Sequence, residues 1–342
     1  MGNQRGFFDE QIRLEKLSNK KDPLEQLSSH IDFEFFRKPL SRFFSKQQHN
    51  KGGRPSYDVV LMFKILILQR YYNVSDDAIE YAILDRLSFM RFLGLGINDR
   101  VPDAKTIWLY RDNLTQGGMI EKLFDQLDRQ LDKDGIIVHK GKLVDASIVE
   151  VPIQRNSREE NQQLKDGEMP TDWKEAKQRQ KDVDAQWVRK GNRDYFGYKN
   201  HIKADTKTKL ITGYIATPAH VPDGEMLEVL LDKKEDRGQS LHADSAYRSG
   251  ELEQVCEHKG VISRIHEKGY RYKKMTAQQK NRNHVKSKTR ARVEHIFGFM
   301  TNSMKGMYLE YRSFMRNEAA IGLMNLTYNL FRLVQLKIQL IK

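Results

Sequence analysis

The sequence predicts an α/β fold in which a mixed sheet with flanking helices is preceded by an all-helical N-terminal domain. Two observations predict it. The hydrophobic pattern keeps a helical period to about residue 134, then changes at Gly135 to Val- and Ile-rich segments that later alternate with helices. A chain of 342 residues also has the length of about two domains, so the division is expected at 1–134 and 135–342.

In the first part, Ser56 precedes Tyr57 to Tyr72, a stretch apolar nearly all round, as for a capped helix buried in a bundle. Ser75 caps a second helix over 76–93, which Gly94 and Gly96 end. Pro102-Asp103 opens a third, Ala104 to Leu114, and Gly117-Gly118 separates it from a fourth, Met119 to Leu131. Links this short imply a compact helical bundle.

In the second part, 135–139 and 142–151 read as strands, and 195–204 and 210–217 as a hairpin about the turn 205–209. A helix at 223–231, a strand at 240–244, a helix at 251–258 and a strand at 261–266 follow, closed by helices from Arg290 onward. Residues 154–192 are polar, helix-prone around 172–188, and read as an excursion from the sheet. Trp173 and Trp187 within it are expected to pack rather than to stack on bases.

Lysine and arginine number 59 against 46 acids, and a net charge of +13 points to nucleic acid as the partner. The segment 264–292 holds eleven basic residues against one acid, Glu267, with Tyr270, Tyr272 and His284 interspersed. That composition suits a groove that follows phosphates, and it equally suits a solvated loop. Lys273, Lys274, Lys280, Lys286, Lys288, Arg290 and Arg292 are its candidate phosphate contacts, and Arg248 and Lys199 join them from outside. The longest apolar stretch, 59–68, is interrupted by Lys64 and falls far short of the roughly 20 residues of a membrane span. With a polar start unlike a signal peptide and Cys256 as the single cysteine, a cytoplasmic protein, nucleoid-associated when on DNA and without a membrane partner, is expected.

Three carboxylates occupy places where a sheet presents residues at its rim. Asp145 lies within an apolar strand, where an acid is costly to bury without a cation. Asp244 ends a strand, at the edge where α/β sheets place their sites. Glu294 lies on an amphipathic helix whose Ile296, Phe297 and Met300 should pack inward. Clustered hard oxygens suit Mg²⁺ or Mn²⁺, and two such ions can activate a nucleophilic oxygen and stabilise a leaving one. Asp205 at the hairpin turn and Asp223 after Pro222 are read as turn and cap residues. Asp232, Glu235 and Asp236 read as a solvated charged turn. His242 and His295 flank two of the acids but lack the spacing of a zinc site.

Several motifs then resemble the insertion-sequence DDE transposases in that family's order. Lys-Gly-Gly-Arg-Pro-Ser-Tyr-Asp (51–58) and Val-Pro-Asp-Ala-Lys-Thr-Ile-Trp (101–108) look like its N-terminal domain. Phe196-Gly197-Tyr198-Lys199, Thr217-Pro218-Ala219-His220 and Ala243-Asp244-Ser245-Ala246-Tyr247 look like its catalytic domain. The resemblance implies an RNase H-like fold with Asp145, Asp244 and Glu294 as the metal-binding triad. One branch carries Y-x2-R-x3-E-x6-K about its glutamate; Arg290 and Glu294 fit, while Ser287 and Thr301 stand at the tyrosine and lysine positions, with Lys305 beyond. Only 50 residues separate Asp244 from Glu294, which leaves no room for the β-domain that some relatives insert there.

The function implied is a transposase that binds terminal inverted repeats, cleaves DNA with Mg²⁺ or Mn²⁺, two ions per site, and joins 3′ ends to target DNA. It is expected to act as a homodimer or higher assembly, since two element ends must be held together. A metal-dependent nuclease without strand transfer would use the same acids. A non-catalytic DNA-binding regulator would keep the basic face without needing them.

Overall fold

The computed structural model describes residues 8–47, 56–270, 272 and 274–341. The chain forms two compact units, one of residues 1–119 with 330–342 and one of 120–329.

The first unit carries α1 (Asp9–Asn19), α2 (Pro23–His30), α3 (Arg37–Gln47), α4 (Val59–Tyr72), α5 (Asp76–Asp85), α6 (Leu87–Leu93) and α7 (Ala104–Gln116). The central α4 buries Phe63, Ile65, Leu66 and Leu68, and Phe33, Phe36 and Phe92 pack around it. Its cap is Asp58 rather than Ser56: the aspartate carboxylate accepts from the Val60 and Leu61 amides, and the helix starts two residues later than expected. The expected helix over 76–93 is two helices. Arg86 breaks it in an extended conformation, with its guanidinium over the rings of Tyr72 and Phe89. Ser75 and Asp103 cap as expected, accepting from Ala78 and Thr106.

The second unit opens with α8 (Met119–Lys133). β1 (Lys142–Glu150) follows, and the excursion holds α9 (Arg158–Lys165), α10 (Glu175–Gln178) and β2 (Gln186–Lys190). β3 (Arg193–Asp205) and β4 (Ile211–Pro218) form the expected hairpin. Then come α11 (Leu227–Leu230), β5 (Ser240–His242), α12 (Gly250–Lys259), β6 (Ile262–Ser263), α13 (Ala277–Arg290) and α14 (Arg292–Gly298). The last helix, α15 (Phe314–Ile341), has residues in both units.

The 13-residue β3 organises the sheet. β1 lies antiparallel along one side of it, from Lys142↔Asp205 to Glu150↔Gly197. On the other side β2 pairs with its first five residues and β4 with the remainder. β5 is parallel to β1, and β6 is parallel to β5. The order β4-β3-β1-β5-β6, three antiparallel strands and then two parallel ones, is the expected RNase H-like arrangement.

Two further expectations differ from what is found. Residues 135–139 form no strand, because Gly135 and His139 both have positive φ and interrupt the extended run. The stretch 172–188 is not a long helix but the short α10 followed by part of β2, whose Trp187 packs at a tilt against Phe196. Trp173 is buried, with its indole N–H donated to Glu160 at 2.6 Å.

One face of β1 and β5 packs Val144, Leu241 and Ala243 against Leu227, Leu230, Tyr247, Cys256 and Ile265. The N-terminal part of α15 is held to the sheet by buried amides. Asn325 and Asn200 exchange hydrogen bonds at 2.7 and 3.0 Å. Asn329 accepts from the Ile211 amide and donates to its carbonyl at 2.9 and 2.8 Å. Asn317 donates to Asp182, which also accepts from the Tyr198 hydroxyl.

Candidate active site

β1 and β5 run parallel with Leu143 opposite His242, so Asp145 and Asp244 each lie two residues further on, Asp145 within β1 and Asp244 just past the end of β5. Asp244 closes the strand by capping the 3₁₀ turn Ser245–Tyr247, its Oδ1 accepting from the Ala246 amide at 2.7 Å. The side chain of Asp145 is 18% exposed. Burial pushes its carboxyl up to about 6; the Ala146 amide and Arg290 oppose that rise, and the charge of Asp244 adds to it.

Arg290 ends α13 and Glu294 lies in the first turn of α14, so the two face the same way across the break at Ala291. Arg290 Nη1 donates to Asp145 Oδ2 at 3.2 Å, and its Nη2 lies 3.8 Å from Glu294 Oε1. Glu294 is the most open of the three acids, with a side chain 69% exposed. Val293 and Ile296 are buried beneath this helix, as is Met300 in the π-helical turn Phe299–Ser303 that follows. Lys305, with positive φ, comes after that turn.

Arg290 thus links Asp145 to Glu294, and the charge of Asp244 is felt at Asp145. Among the described residues no group of three or more His, Cys, Asp or Glu is close enough to hold a metal ion. The donor chemistry of the Asp145 and Asp244 pair nevertheless fits Mg²⁺ or Mn²⁺. Both are hard oxygen donors, and Asp145 is raised chiefly by burial, with the charge of Asp244 adding to it, a condition that a divalent cation relieves.

The basic segment is mostly helix rather than loop. Thr276 and Gln279 form a capping box at the start of α13. Lys274, Lys280 and Lys288 are exposed and make no ion pair among the described residues. Lys286 is half-buried and donates to the Ile265 carbonyl at 2.7 Å. Arg292 donates to the Thr206 carbonyl at 2.7 Å, and Arg248 pairs with Glu253 at 2.7 Å. Lys273 lies outside the described residues, as does the 51–55 part of the first motif. His242, beside Asp244, is lowered to about 4 by burial first and then by the charges of Arg264, Arg292, His266 and Lys286.

Lys199 is not on the surface. Its ammonium donates to the Val221 carbonyl at 2.6 Å and pairs with Asp223 at 2.7 Å. Asp223 therefore serves differently from the cap that its place after proline suggested: it makes no side-chain cap bond in its 3₁₀ turn. Asp205, by contrast, is the turn residue expected, accepting from Lys207, Thr208 and His139. Asp236 is not solvated either, being fully buried against Lys142 and Lys203. Tyr247, at the end of the turn that Asp244 caps, is fully buried, and its hydroxyl makes no hydrogen bond among the described residues.

Residues 12–113 match the family described as transposase domain (DUF772). Residues 140–330 match the transposase DDE domain. A cryo-EM structure of a piggyBac transposase synaptic complex with hairpin DNA is similar at a TM-score of 0.46 and 14% identity, over 95% of this chain and 77% of that one. No described helix is long and apolar enough to cross a membrane. The DDE-domain match takes in more than half of the chain, including every strand of the sheet and both helices that carry Arg290 and Glu294, and the chain belongs to the DDE transposase family.

Proposed function

We propose that this transposase binds the terminal inverted repeats of its element, cleaves phosphodiester bonds to free 3′-hydroxyls and joins those ends to target DNA. The observation that carries this reading is that Asp145 on β1 and Asp244 just past the neighbouring parallel β5 lie at equivalent positions in the register, with Arg290 of α13 between Asp145 and Glu294 of α14. Asp145, Asp244 and Glu294 would hold Mg²⁺ or Mn²⁺, two ions per site. When bound, these supply the charge that activates the attacking oxygen and stabilises the leaving one.

The remaining work falls to the chain's own groups. Arg290 neutralises Asp145 and is placed to hold a phosphate of the reacting strand. Lys280 and Lys288 offer exposed charge along α13, with Lys274 just before it, and suit a DNA backbone. The helical part, residues 1–134, is assigned end recognition and the pairing of protomers, which concerted joining of two ends requires.

The test is to incubate the purified protein with its flanking inverted repeats and Mg²⁺ and to follow both strands. Cleaved ends and joined products are expected. Cleavage without joining would favour a metal-dependent nuclease, and sequence-specific binding without cleavage would favour a DNA-binding regulator.

A further inference from the structure

Asp145, Asp244 and His266 stand in one row across three parallel strands. The ladder of β1 and β5, with Leu143 opposite His242, sets Asp145 beside Asp244. The ladder of β5 and β6 runs on past both strands. The Arg264 amide donates to the Leu241 carbonyl at 2.8 Å and the His266 amide to the Ala243 carbonyl at 3.2 Å, which sets His266 beside Asp244. Residues opposite one another in a ladder share a face, so all three lie on the side away from the core residues Val144, Ala243 and Ile265. α13 spans the row on that side. Its Arg290 reaches Asp145 at one end, and Ser287, one turn earlier, holds His266 at the other, with Oγ 3.4 Å from the ring Nε2. The Ser287 hydroxyl also bonds the Asn283 carbonyl at 2.9 Å, which fixes it in place. The second ring nitrogen, Nδ1, makes no hydrogen bond among the described residues, and unlike Nδ1 of His242 on the same face it is not enclosed. The surroundings are basic: Lys286 donates to the Ile265 carbonyl, and Arg264 is exposed on the face of His266.

We propose that His266 contacts a phosphate of the DNA strand being cut, one beside the scissile phosphate, on the Asp244 side of the site. The inference rests on the acid-site reading given under the proposed function. Adjacent strands lie about 4.8 Å apart, so the row from Asp145 to His266 is roughly 10 Å long. A phosphate held at the acids therefore leaves its neighbour along the strand within reach of the ring. With a proton on Nδ1, Nε2 accepts from the Ser287 hydroxyl in the neutral ring or donates to its oxygen in the charged one, so both forms can give Nδ1–H to a phosphate oxygen. The anchored ring costs little ordering when the strand arrives, unlike the exposed lysines of α13.

The test uses the full-length protein and DNA ends in which single phosphates around the cleavage site are replaced, one at a time, by neutral methylphosphonates. Ca²⁺ takes the place of Mg²⁺ so that binding is read apart from cleavage. Wild-type affinity should fall roughly tenfold or more at one position beside the scissile phosphate, the scale of one hydrogen bond to a charged group. His266→Phe, which keeps a ring and removes both nitrogens, should bind unmodified ends that much more weakly and lose its sensitivity at that position alone. His266→Asn, whose amide can stand in for Nδ1–H, should recover both. A His266→Phe protein with the wild-type pattern of sensitivity, whatever its affinity, overturns the inference and leaves the histidine a packing residue. Asp244→Asn is assayed for cleavage in Mg²⁺ in parallel. If it cleaves like the unaltered protein, the acid-site reading has failed; if it does not cleave while His266→Phe keeps the wild-type pattern, the phosphate inference alone has failed.

Discussion

Arg290 Nη1 donates to Asp145 Oδ2 at 3.2 Å, tying the end of a basic helix to the middle of the sheet's first strand. The guanidinium thereby supplies positive charge to Asp145, which burial and Asp244 hold up, with Lys190 adding a smaller contribution of the same sign. Arg290→Ala should lower single-turnover cleavage by about two orders of magnitude, the usual cost of removing one fixed electrostatic group from a reacting centre. End binding should change little, since one phosphate contact among many is lost. Wild-type cleavage by the variant would remove Arg290 from the site.

Asp145→Asn, Asp244→Asn and Glu294→Gln each delete a charge at nearly constant shape. Each should abolish cleavage and joining while leaving end binding intact, as measured by gel shift beside a strand-transfer assay. Chelator should do the same to the unaltered protein, and Ca²⁺ should restore binding with little chemistry, since it takes more ligands at longer distance than Mg²⁺. Full cleavage in chelator would exclude a metal-dependent site.

Lys274, Lys280 and Lys288 are exposed on or beside α13, and replacing all three by glutamine tests whether they meet phosphates. If each makes one contact on duplex DNA, the dependence of log affinity on log salt should flatten by about 2.7, roughly 0.9 for each contact. Affinity should fall alike for end and random sequences, because phosphate contacts carry no base information. An unaltered slope in a salt titration would make this helix merely a solvated one.

Much of the fold is legible in local chemistry. Ser75 and Asp103 cap where they should, the Asp205 turn closes its hairpin, and Gly94 ends a helix in the left-handed region. What was misread depended on partners distant in sequence. Asp223 after Pro222 has the local signature of a cap, yet Lys199 on another strand claims its carboxylate. Asp236 lies in a run of charges that suggests solvent, yet two lysines from β1 and β3 bury it. Asp145 within an apolar strand and Asp244 at a strand end could be picked out from the sequence, but that β1 and β5 are neighbours is a matter of topology.

Asp128 on α8 is pushed up to about 7, chiefly by burial, with Glu235 and Asp132 raising it and Lys142 and Lys203 opposing. A carboxyl raised in the folded state keeps its proton there after the unfolded chain, near 3.9, has lost it. The contribution of Asp128 to stability therefore falls as pH rises from about 4 to 7 and is flat above that range. Asp128→Asn should remove the penalty, stabilising the protein at pH 8 by up to roughly 4 kcal/mol and leaving it unaltered at pH 4. Denaturant melts at the two pH values check this; an equal effect at both would show that charge is not the cause.

The buried asparagines of α15 bear on how it can move. Each addresses a different part of the second unit: Asn317 reaches Asp182 in the excursion, Asn325 the middle of β3, and Asn329 the start of β4. A leucine face would tolerate sliding by a helical turn with little loss, since one aliphatic contact replaces another. A slide here would strand three amides at once, each at roughly 1 to 3 kcal/mol. The helix is thus indexed to the sheet like a key with three cuts, and force applied along its axis would meet a discrete barrier instead of a smooth drag.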